Sequence, residues 1–429
     1  MFNRIIWLIA SSMIIISGVY FTFKLKFIQF RFLKMFKSLM IKNNDSNTIT
    51  PFESLMMVLA GRIGVGSIAG IAVSIYYGGV GSIFWMWISS ILAASLTFLE
   101  TTLGMIYQKK DTNSICKGGP SYYIKYGLNN KILGNIYAII IIISDILGFI
   151  SIQTNTITHS FQRIGNIDSY VIGILLGIFI LIIILGGVKR IANFSSKIVP
   201  FMTILYISIS LIIIIVNITK IPSIFISIFK NAFEFRAING GILGSLVIGI
   251  QRGIFSNEAG IGTGAIAAAA TKTSNDKEKF AQGYTQMLGI YITTFLICTS
   301  TAIIVLTSDI SNLKFSDFNG IEMIQVSFTQ HLGNIGNILI FVIIFLFAFS
   351  TILSSYYNGE SSLKYFIEKP NKTLKILKLF TLISIFIGAV ASANFIWNFI
   401  DSLVGILAII NIYAIIKLKD KVVKILNKK

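Results

Sequence analysis

The chain has 429 residues, of which 55% are hydrophobic and 12% are charged, whereas a typical soluble protein has about 25% charged residues. Its two cysteines and two histidines are too few for a disulfide-stapled scaffold or a His/Cys metal enzyme. Apolar runs of roughly twenty residues alternate with short lysine-rich stretches. The composition therefore predicts an all-α polytopic membrane protein and excludes a soluble multidomain protein.

Hydropathy predicts about 11 transmembrane helices. Basic residues and no small-residue cleavage site follow the first apolar run, so we expect a retained helix there and no signal peptide. The predicted spans are 4–23, 52–77, 81–107, 132–160, 170–187, 198–217, 239–271, 283–307, 333–357, 374–393 and 395–416.

The formal net charge of +19 is unevenly distributed along the chain. With the N-terminus outside, most lysines and arginines fall on inner loops and the C-terminus is cytoplasmic, as the positive-inside rule requires of a protein in the plasma (inner) membrane. The basic charge therefore predicts topology and contact with anionic membrane lipid, not a nucleic-acid surface. The sequence contains no GxxxxGK[ST] loop, which is the motif that would indicate a nucleotide site.

Two of the predicted spans are interrupted by glycine and polar residues. They read AGRIGVGSIAG over 60–70 and QRGIFSNEAGIGTGAIA over 251–267. Backbone released from helical hydrogen bonds cannot face lipid, so such breaks line a cavity within the protein. Interrupted helices at corresponding positions of two halves indicate a transporter binding site. The alternative is that Gly66-xxx-Gly70 and Gly260-xxx-Gly264 are only helix-packing motifs.

The positions of the breaks suggest an internal repeat. If the first span is set aside, ten remain, and each broken helix opens a group of five. An odd number of spans per group inverts the topology of the second group. The predicted segments are an N-terminal helix with a basic inner loop (1–50), a first repeat (51–220), an outer interfacial amphipathic segment (221–238), a second repeat (239–418) and a basic cytoplasmic tail (419–429).

Several motifs resemble, in order, those of the alanine/glycine:cation symporter family. The resemblance covers residues from about 50 to 360 and implies the leucine-transporter fold, with one extra N-terminal helix before two inverted five-helix repeats. It also implies sodium-coupled uptake of a small neutral amino acid by a protein that is not an enzyme. The motifs are GRIGVGSIAGIA, GGVGSIFWMW, FLETTLG, GGPSYYI, GGVKRIANFSSKIVPFM, RGIFSNEAGIGTGAIAAAAT and FAFSTILSSYYNGE.

The two breaks supply the groups that a zwitterionic amino acid needs. Amides of Val65, Gly66 and Ser67, at the positive end of a half-helix, are placed for the carboxylate. Carbonyls around Phe255 and Ser256 can accept from the ammonium group, and the Phe255 ring can close the apolar side. Asn257 lies in the same break, and we include it in the candidate substrate site.

Two further groups of substrate residues come from the resemblance. Gln153 and Asn155 match the family's Gln-x-Asn pair on a helix that faces the site; the alternative is that they are interhelical hydrogen-bond partners. Ser355 lies one turn from Thr351 and replaces the family's tryptophan, so we expect both residues to face the pocket. This exchange predicts a neutral substrate larger than glycine or alanine, such as serine, threonine or glutamine.

The resemblance also implies a sodium site as the ion-coupling element. Its oxygens would come from Ala60 and Ile63 of the first broken helix and from Phe347, Ser350 and Thr351, which share one helix face. The alternative for the two hydroxyls is a hydrogen bond to a carbonyl of their own helix. Ser67 replaces the family's asparagine, which puts a second ion site in doubt.

Buried charge within the spans indicates function because it is costly in a membrane. We hypothesise that Arg62 pairs with Asp145, which lies eight residues before Gln153 and so on nearly the same helix face. The alternative is that Arg62 extends to the inner water and Asp145 bonds a nearby hydroxyl. For the whole chain, a channel, a non-transporting amino-acid sensor and proton-coupled transport remain the alternatives to sodium symport.

Overall fold

A computed structural model describes the chain over nearly its whole length, and every statement below concerns its described residues. These are 2–41, 49–110, 116–162, 165, 167–234, 241–273, 275–309, 320–367 and 371–427.

The first part of the chain is helical apart from one short hairpin. A 3-10 turn, Ile28–Phe30, separates its first two helices, and a π-helical segment, Ile143–Phe149, joins α7 to α8. The elements are α1 (Phe2–Lys24), α2 (Phe32–Leu39), α3 (Pro51–Arg62), α4 (Val65–Gly78), α5 (Ser82–Ile106), β1 (Lys109–Lys110), β2 (Cys116–Lys117), α6 (Pro120–Gly127), α7 (Lys131–Ile142), α8 (Ile150–Gln162), α9 (Ser169–Ile184) and α10 (Gly187–Val216).

The second part contains helices only. A 3-10 turn, Ile218–Lys220, precedes it, and a second π-helical segment, Tyr291–Cys298, joins α14 to α15. The elements are α11 (Ile221–Ala232), α12 (Gly241–Asn257), α13 (Thr263–Ala268), α14 (Asp276–Ile290), α15 (Thr299–Thr307), α16 (Gly320–Leu363), α17 (Asn371–Val390) and α18 (Ala393–Asn427).

Nine helical stretches among the described residues are long and apolar enough to cross a membrane. The all-α polytopic class is confirmed, whereas the count of about 11 is not. The two remaining predicted spans, 170–187 and 239–271, correspond to α9, which has 16 residues, and to α12 with α13, which a break divides. A helix crosses the bilayer core with about twenty residues, so neither meets that criterion as one straight helix.

Two predicted spans differ in extent from the helices observed. The span predicted at 333–357 belongs to α16, which starts at Gly320 and bends at Gly333, where φ is +63°. The last predicted span ends at 416, but α18 continues to Asn427, so most of the predicted basic tail is helical.

Side-chain caps define where α3, α7 and α14 begin. Thr50 accepts from the Glu53 amide and Glu53 accepts from the Thr50 amide, with Pro51 at the first helical position of α3. Asn130 and Asn275 cap α7 and α14 through their side-chain oxygens. These caps replace the backbone partners that the first turn of a helix lacks.

The two broken helices pack against each other in opposite directions. The first half of one, α3, contacts the second half of the other, α13, and α4 contacts α12. Helix α16 packs against both α3 and α4 and also against α7 and α8. The two breaks, α16 and the α7–α8 helix therefore meet in the middle of the helix bundle.

Candidate functional site

The first break separates α3 from α4 at Ile63 and Gly64. Both residues have non-helical dihedrals, φ −89°, ψ 68° at Ile63 and φ −121°, ψ −160° at Gly64. The amide of Val65 donates to the side-chain oxygen Oε1 of Gln153 at 3.1 Å. The structure thus brings the predicted Gln153 to the predicted amides, where the positive end of the α4 dipole favours an anionic oxygen.

Glycine is required in the first break because neighbouring side chains approach its backbone closely. A Cβ on Gly64 would overlap the Thr351 hydroxyl, and a Cβ on Gly66 would lie 2.8 Å from Cδ1 of Phe255. At Gly70 the nearest atoms would be 4.0 Å away, in ordinary contact. A packing motif would use both glycines of Gly66-xxx-Gly70 alike, so close approach at the break explains the pattern better.

The second break lies between α12 and α13 and depends on left-handed backbone. Glu258, Gly260 and Gly262 have φ of +52°, +80° and +103°. Glycine adopts these angles without steric cost, whereas a non-glycine residue there is uncommon. The carboxylate of Glu258 accepts from the Thr263 hydroxyl at 2.5 Å, which supports this conformation at the start of α13.

Asn257 stabilises the second break and does not face the first. Its Oδ1 accepts from the Ala259 amide at 3.0 Å, and its Nδ2 donates to the hydroxyls of Ser90 (2.8 Å) and Thr294 (3.1 Å). All these bonds lead to the break itself, to α5 and to the second π-helical segment. Asn257 therefore positions the second break, although we predicted it as part of the substrate site.

A chain of hydroxyl groups joins the two breaks. The Ser67 hydroxyl donates to the Arg62 carbonyl at 2.8 Å and lies 2.7 Å from the Ser256 hydroxyl. Ser256 is also 3.1 Å from Sγ of Cys298, and Thr301 donates to the Ser67 carbonyl at 2.9 Å. Ser67 and Ser256 are together as predicted, whereas nothing in the sequence pattern indicated Cys298 or Thr301.

Aromatic rings and an ion pair close one side of this region. The Phe255 ring lies 5.2 Å from the Phe149 ring and 4.9 Å from that of Trp397, measured between centroids. The guanidinium carbon of Arg252 is 4.9 Å from the Trp397 centroid, and its Nη2 is 2.5 Å from Oδ2 of Asp401. Phe255 thus lies at the apolar side of this region, next to a pair of oppositely charged residues.

Carbonyls and hydroxyls converge where α16 crosses α3. The Thr351 hydroxyl lies 2.8 Å from the Ala60 carbonyl and 2.9 Å from that of Phe347. The Ser350 hydroxyl lies 2.9 Å from the Phe347 carbonyl and 3.3 Å from that of Ala60. Each hydroxyl therefore reaches a carbonyl of its own helix and one of α3. We call these four residues the oxygen cluster; Ile63, the fifth predicted ligand, is buried in the adjoining break.

The oxygen cluster has the donor chemistry of a site for a hard cation. Carbonyl and hydroxyl oxygens suit such ions, and all four groups are uncharged, which favours a monovalent ion over a divalent one. Among the described residues no group of three or more His, Cys, Asp or Glu could hold a metal ion.

Asn155 makes its hydrogen bonds at α17, as the alternative of an interhelical hydrogen-bond partner describes. Its Nδ2 donates to the carbonyls of Gly388 at 3.0 Å and Ala391 at 2.8 Å, both in or next to α17. Residues two apart on an α-helix point about 200° apart. Gln153 therefore faces the break while Asn155 binds the next helix.

Ser355 is buried near Asp145 of the first π-helical segment, and Asn358 donates to Oδ1 of that carboxylate at 3.2 Å. Ser355 and Thr351 are one turn apart on α16, and that both face one pocket stays a prediction.

Arg62 and Asp145 have separate partners, so the hypothesis that they pair is wrong. Nη1 of Arg62 donates to the carbonyl of Gln286 in α14 at 2.9 Å. The carboxylates that act on its charge are those of Glu258 and Glu100. Arg62 is 1% exposed, so it does not extend to water either.

Comparison with known proteins gives consistent relatives over almost the whole chain. A probable sodium/glutamine symporter, GlnT of Bacillus subtilis, is 37% identical over 98% of this chain and 87% of its own length. The sodium/alanine symporter AgcS of Methanococcus maripaludis is 33% identical over 95% of this chain and 91% of its own length.

Solved structures of two transporters share the fold. One is a Na⁺-coupled sialic acid symporter in a substrate-bound outward-open state, with a TM-score of 0.53 at 16% identity over 95% of this chain and 82% of that one. The other is MhsT in complex with L-phenylalanine, with a TM-score of 0.53 at 14% identity over 84% of this chain and 87% of that one. These likenesses confirm the leucine-transporter fold predicted from the motifs.

The family model described as the sodium:alanine symporter family matches residues 1–428. This match extends the predicted resemblance, which covered residues from about 50 to 360, to nearly the full length. It confirms sodium as the coupling ion and the assignment to secondary transporters rather than enzymes. With its two broken helices and the oxygen cluster between α3 and α16, the chain belongs to the sodium:alanine symporter family.

Proposed function

We propose that the chain imports a neutral amino acid together with sodium by alternating access. The proposal rests on one observation: the amides of the first break and the oxygen cluster lie along the same short stretch of backbone, from Ala60 to Ser67. The Val65 amide contacts Gln153 of α8, and the Ala60 carbonyl contacts Thr351 of α16. An ion bound at one end of this stretch and a carboxylate bound at the other therefore stabilise the same backbone conformation, which couples their binding.

In the proposed substrate site, the carboxylate binds the amides of Val65, Gly66 and Ser67. The Oε1 atom of Gln153 already accepts from the Val65 amide, which shows that an oxygen fits there. A substrate carboxylate would replace this oxygen, and rotation of the Gln153 amide would let its NH₂ group donate to the carboxylate. Carbonyls of Phe255 and Ser256 would accept from the ammonium group.

In the proposed ion site, sodium binds the carbonyls of Ala60, Ile63 and Phe347 and the hydroxyls of Ser350 and Thr351. The ion would hold α3 against α16 directly beside Gly64. Because the same two hydroxyls already link these helices, sodium would strengthen a contact that the chain makes by itself.

The proposed substrates range in size from alanine to glutamine. The exchange of the family's tryptophan for Ser355 supports a side chain larger than that of alanine. The relatives described as sodium/alanine and probable sodium/glutamine symporters support both ends of the range.

The proposed orientation has the N-terminus outside and the C-terminus in the cytoplasm. Lysines at the start of α14 and of α17 and near the end of α18 would then meet the inner leaflet, which is rich in anionic lipid. The partners that we propose are a neutral amino acid, sodium and membrane lipid, without nucleic acid or nucleotide.

Uptake into proteoliposomes tests the transport proposal. We expect saturable accumulation of labelled alanine, glutamine or a neutral amino acid between them when an inward sodium gradient is imposed. Binding without accumulation would indicate a sensor, and non-saturable flux would indicate a channel. Equal uptake under a proton gradient without sodium would contradict the ion site.

Removing one hydroxyl from the oxygen cluster should weaken sodium binding selectively. Thr351→Val keeps a similar shape but loses the oxygen, and a hydrogen bond or similar contact to a charged group contributes about 1.5–3 kcal/mol. We expect the sodium concentration for half-maximal uptake to rise about 10- to 100-fold. Sodium titration of uptake, normalised to protein in the membrane, measures this rise.

Thr381→Val is the matched control for Thr351→Val. Thr381 is buried in α17 and donates to the Leu377 carbonyl of its own helix at 3.0 Å. Its replacement should leave the sodium requirement unchanged. A similar rise in both variants would mean that helix stability, not ion coordination, is being measured.

A further inference from the structure

A basic cavity opens between α2, the start of α14 and the end of α18. Its volume is about 840 Å³, and Arg31, Lys34, Lys37 and Lys277 line it. Phe280 and Tyr284 form part of its wall, and none of the residues that line it is acidic. Positive charges that share a cavity repel one another, so the cavity favours an anionic ligand.

Helix α2 combines this basic lining with an apolar face that the protein leaves uncovered. Leu33 and Met40 are each 78% exposed and Phe36 is 54% exposed, on one face of the helix. Met35 and Ser38 are buried on the face toward α14. The lysines of α2 lie on the face between the two. An exposed apolar face beside a basic face is typical of a helix that lies in the membrane interface.

The ligand that fits both features carries a phosphate and a hydrocarbon tail. Lysine and arginine bind phosphate oxygens through charge-assisted hydrogen bonds. Acyl chains attached to that phosphate would extend along Leu33, Phe36 and Met40, outside the cavity. A soluble phosphate compound would use the basic residues but would leave the apolar face of α2 in water.

We propose that the basic cavity binds the phosphate headgroup of one anionic phospholipid of the inner leaflet, such as phosphatidylglycerol. The proposal rests on the inside position of α2 in the orientation given above, and it requires no transport activity. The ligand would hold α2 to α14 by bridging Lys34 and Lys37 of one helix to Lys277 of the other.

The same contact connects the cavity to the first break. The hydroxyls of Ser38 in α2 and Thr285 in α14 lie 2.7 Å apart in the protein interior. The next residue of α14, Gln286, accepts from Arg62 through its carbonyl and donates to the Ser54 hydroxyl through its side chain. Lipid that stabilises α2 on α14 would therefore also stabilise the position of α3.

Thermal unfolding of the purified full chain in detergent tests the proposal. Added phosphatidylglycerol should raise the Tm by about 3 °C or more above the effect of phosphatidylcholine. The Lys34→Gln/Lys37→Gln/Lys277→Gln variant should lose this difference, and native mass spectrometry should show loss of the retained anionic lipid.

The control variant Lys372→Gln/Lys375→Gln/Lys378→Gln removes the same charge from the start of α17. It should keep the full lipid effect, and equal loss in both variants would reduce the proposal to diffuse charge attraction. If inorganic phosphate raised the Tm as much as the lipid does, the cavity would be a free-anion site and the phospholipid proposal would be overturned.

If the triple variant does not fold, Lys34→Gln and Lys37→Gln are tested singly. An unchanged lipid effect in both single variants would also overturn the proposal. A protein that transports normally but shows no lipid effect would refute this inference and leave the proposed function intact. An assay of membrane orientation would show whether the proposed topology is at fault instead.

Discussion

Replacing Gly64 with alanine should reduce sodium-driven uptake about 100-fold while the protein still reaches the membrane. The backbone angle of Gly64 suits alanine, so the effect comes from contact and not from backbone strain. The added Cβ would overlap the Thr351 hydroxyl and lie 3.3 Å from Nε2 of Gln153. One methyl group would therefore separate the first break from both the Thr351 hydroxyl of the proposed ion site and Gln153, which binds the Val65 amide.

Gly70→Ala provides the control for this experiment. Gly70 lies in α4, the helix that follows Gly64, but a Cβ there would be 4.0 Å from its nearest neighbours. Uptake by this variant should stay within a few-fold of the unmodified chain, with initial rates normalised to surface-labelled protein. Similar losses in the two variants would support the helix-packing interpretation of these glycines.

Replacing Arg62 with methionine should abolish uptake and destabilise the protein. Arg62 is buried, and its charge interacts with the carboxylates of Glu258 and Glu100. Removal of one member of a buried charge group costs about 3–5 kcal/mol because the remaining charges are left uncompensated. The loss of the hydrogen bond to the Gln286 carbonyl would also release α3 from α14.

A second substitution distinguishes the partners of Arg62. Arg62→Met combined with Glu258→Gln should regain part of the lost Tm, because one uncompensated carboxylate is removed. Arg62→Met combined with Asp145→Asn should regain less of the lost Tm. If this double variant regained more Tm than the one with Glu258→Gln, the pairing of Arg62 with Asp145 would be supported. Arg190→Met is the control, because Arg190 is exposed and its loss should change neither Tm nor uptake appreciably.

The sequence was sufficient to predict the features that depend on local backbone chemistry. Clustered glycines beside polar residues predicted both breaks, since only protein-lined cavities tolerate such backbone in a membrane. Helical spacing placed Phe347, Ser350 and Thr351 on one face, and the motif resemblance added Ala60 of a distant helix. The breaks and the shared face needed no knowledge of how distant helices cross.

The errors follow from helix rotation and from long-range packing. Asp145 and Gln153 were expected on one face because eight residues make about two α-helical turns. The π-helical segment Ile143–Phe149 contains Asp145 and changes this spacing, because each π turn takes up an extra residue. No periodicity in the sequence indicated it. The partner of Arg62, Gln286, is 224 residues away, and only the packing of α14 on α3 brings them together.

The internal hydrogen bonds of the site have a consequence for how the transporter completes a cycle. After cargo is released, a symporter must reset with nothing bound, and each buried polar group without a partner would then cost about 1–3 kcal/mol. Here Gln153 accepts from the Val65 amide, and the hydroxyls of Ser350 and Thr351 donate to carbonyls. At these three side chains the unloaded protein can therefore reset without that penalty. This property favours net uptake against a gradient. It disfavours obligatory exchange, in which one amino acid must leave for each one that enters.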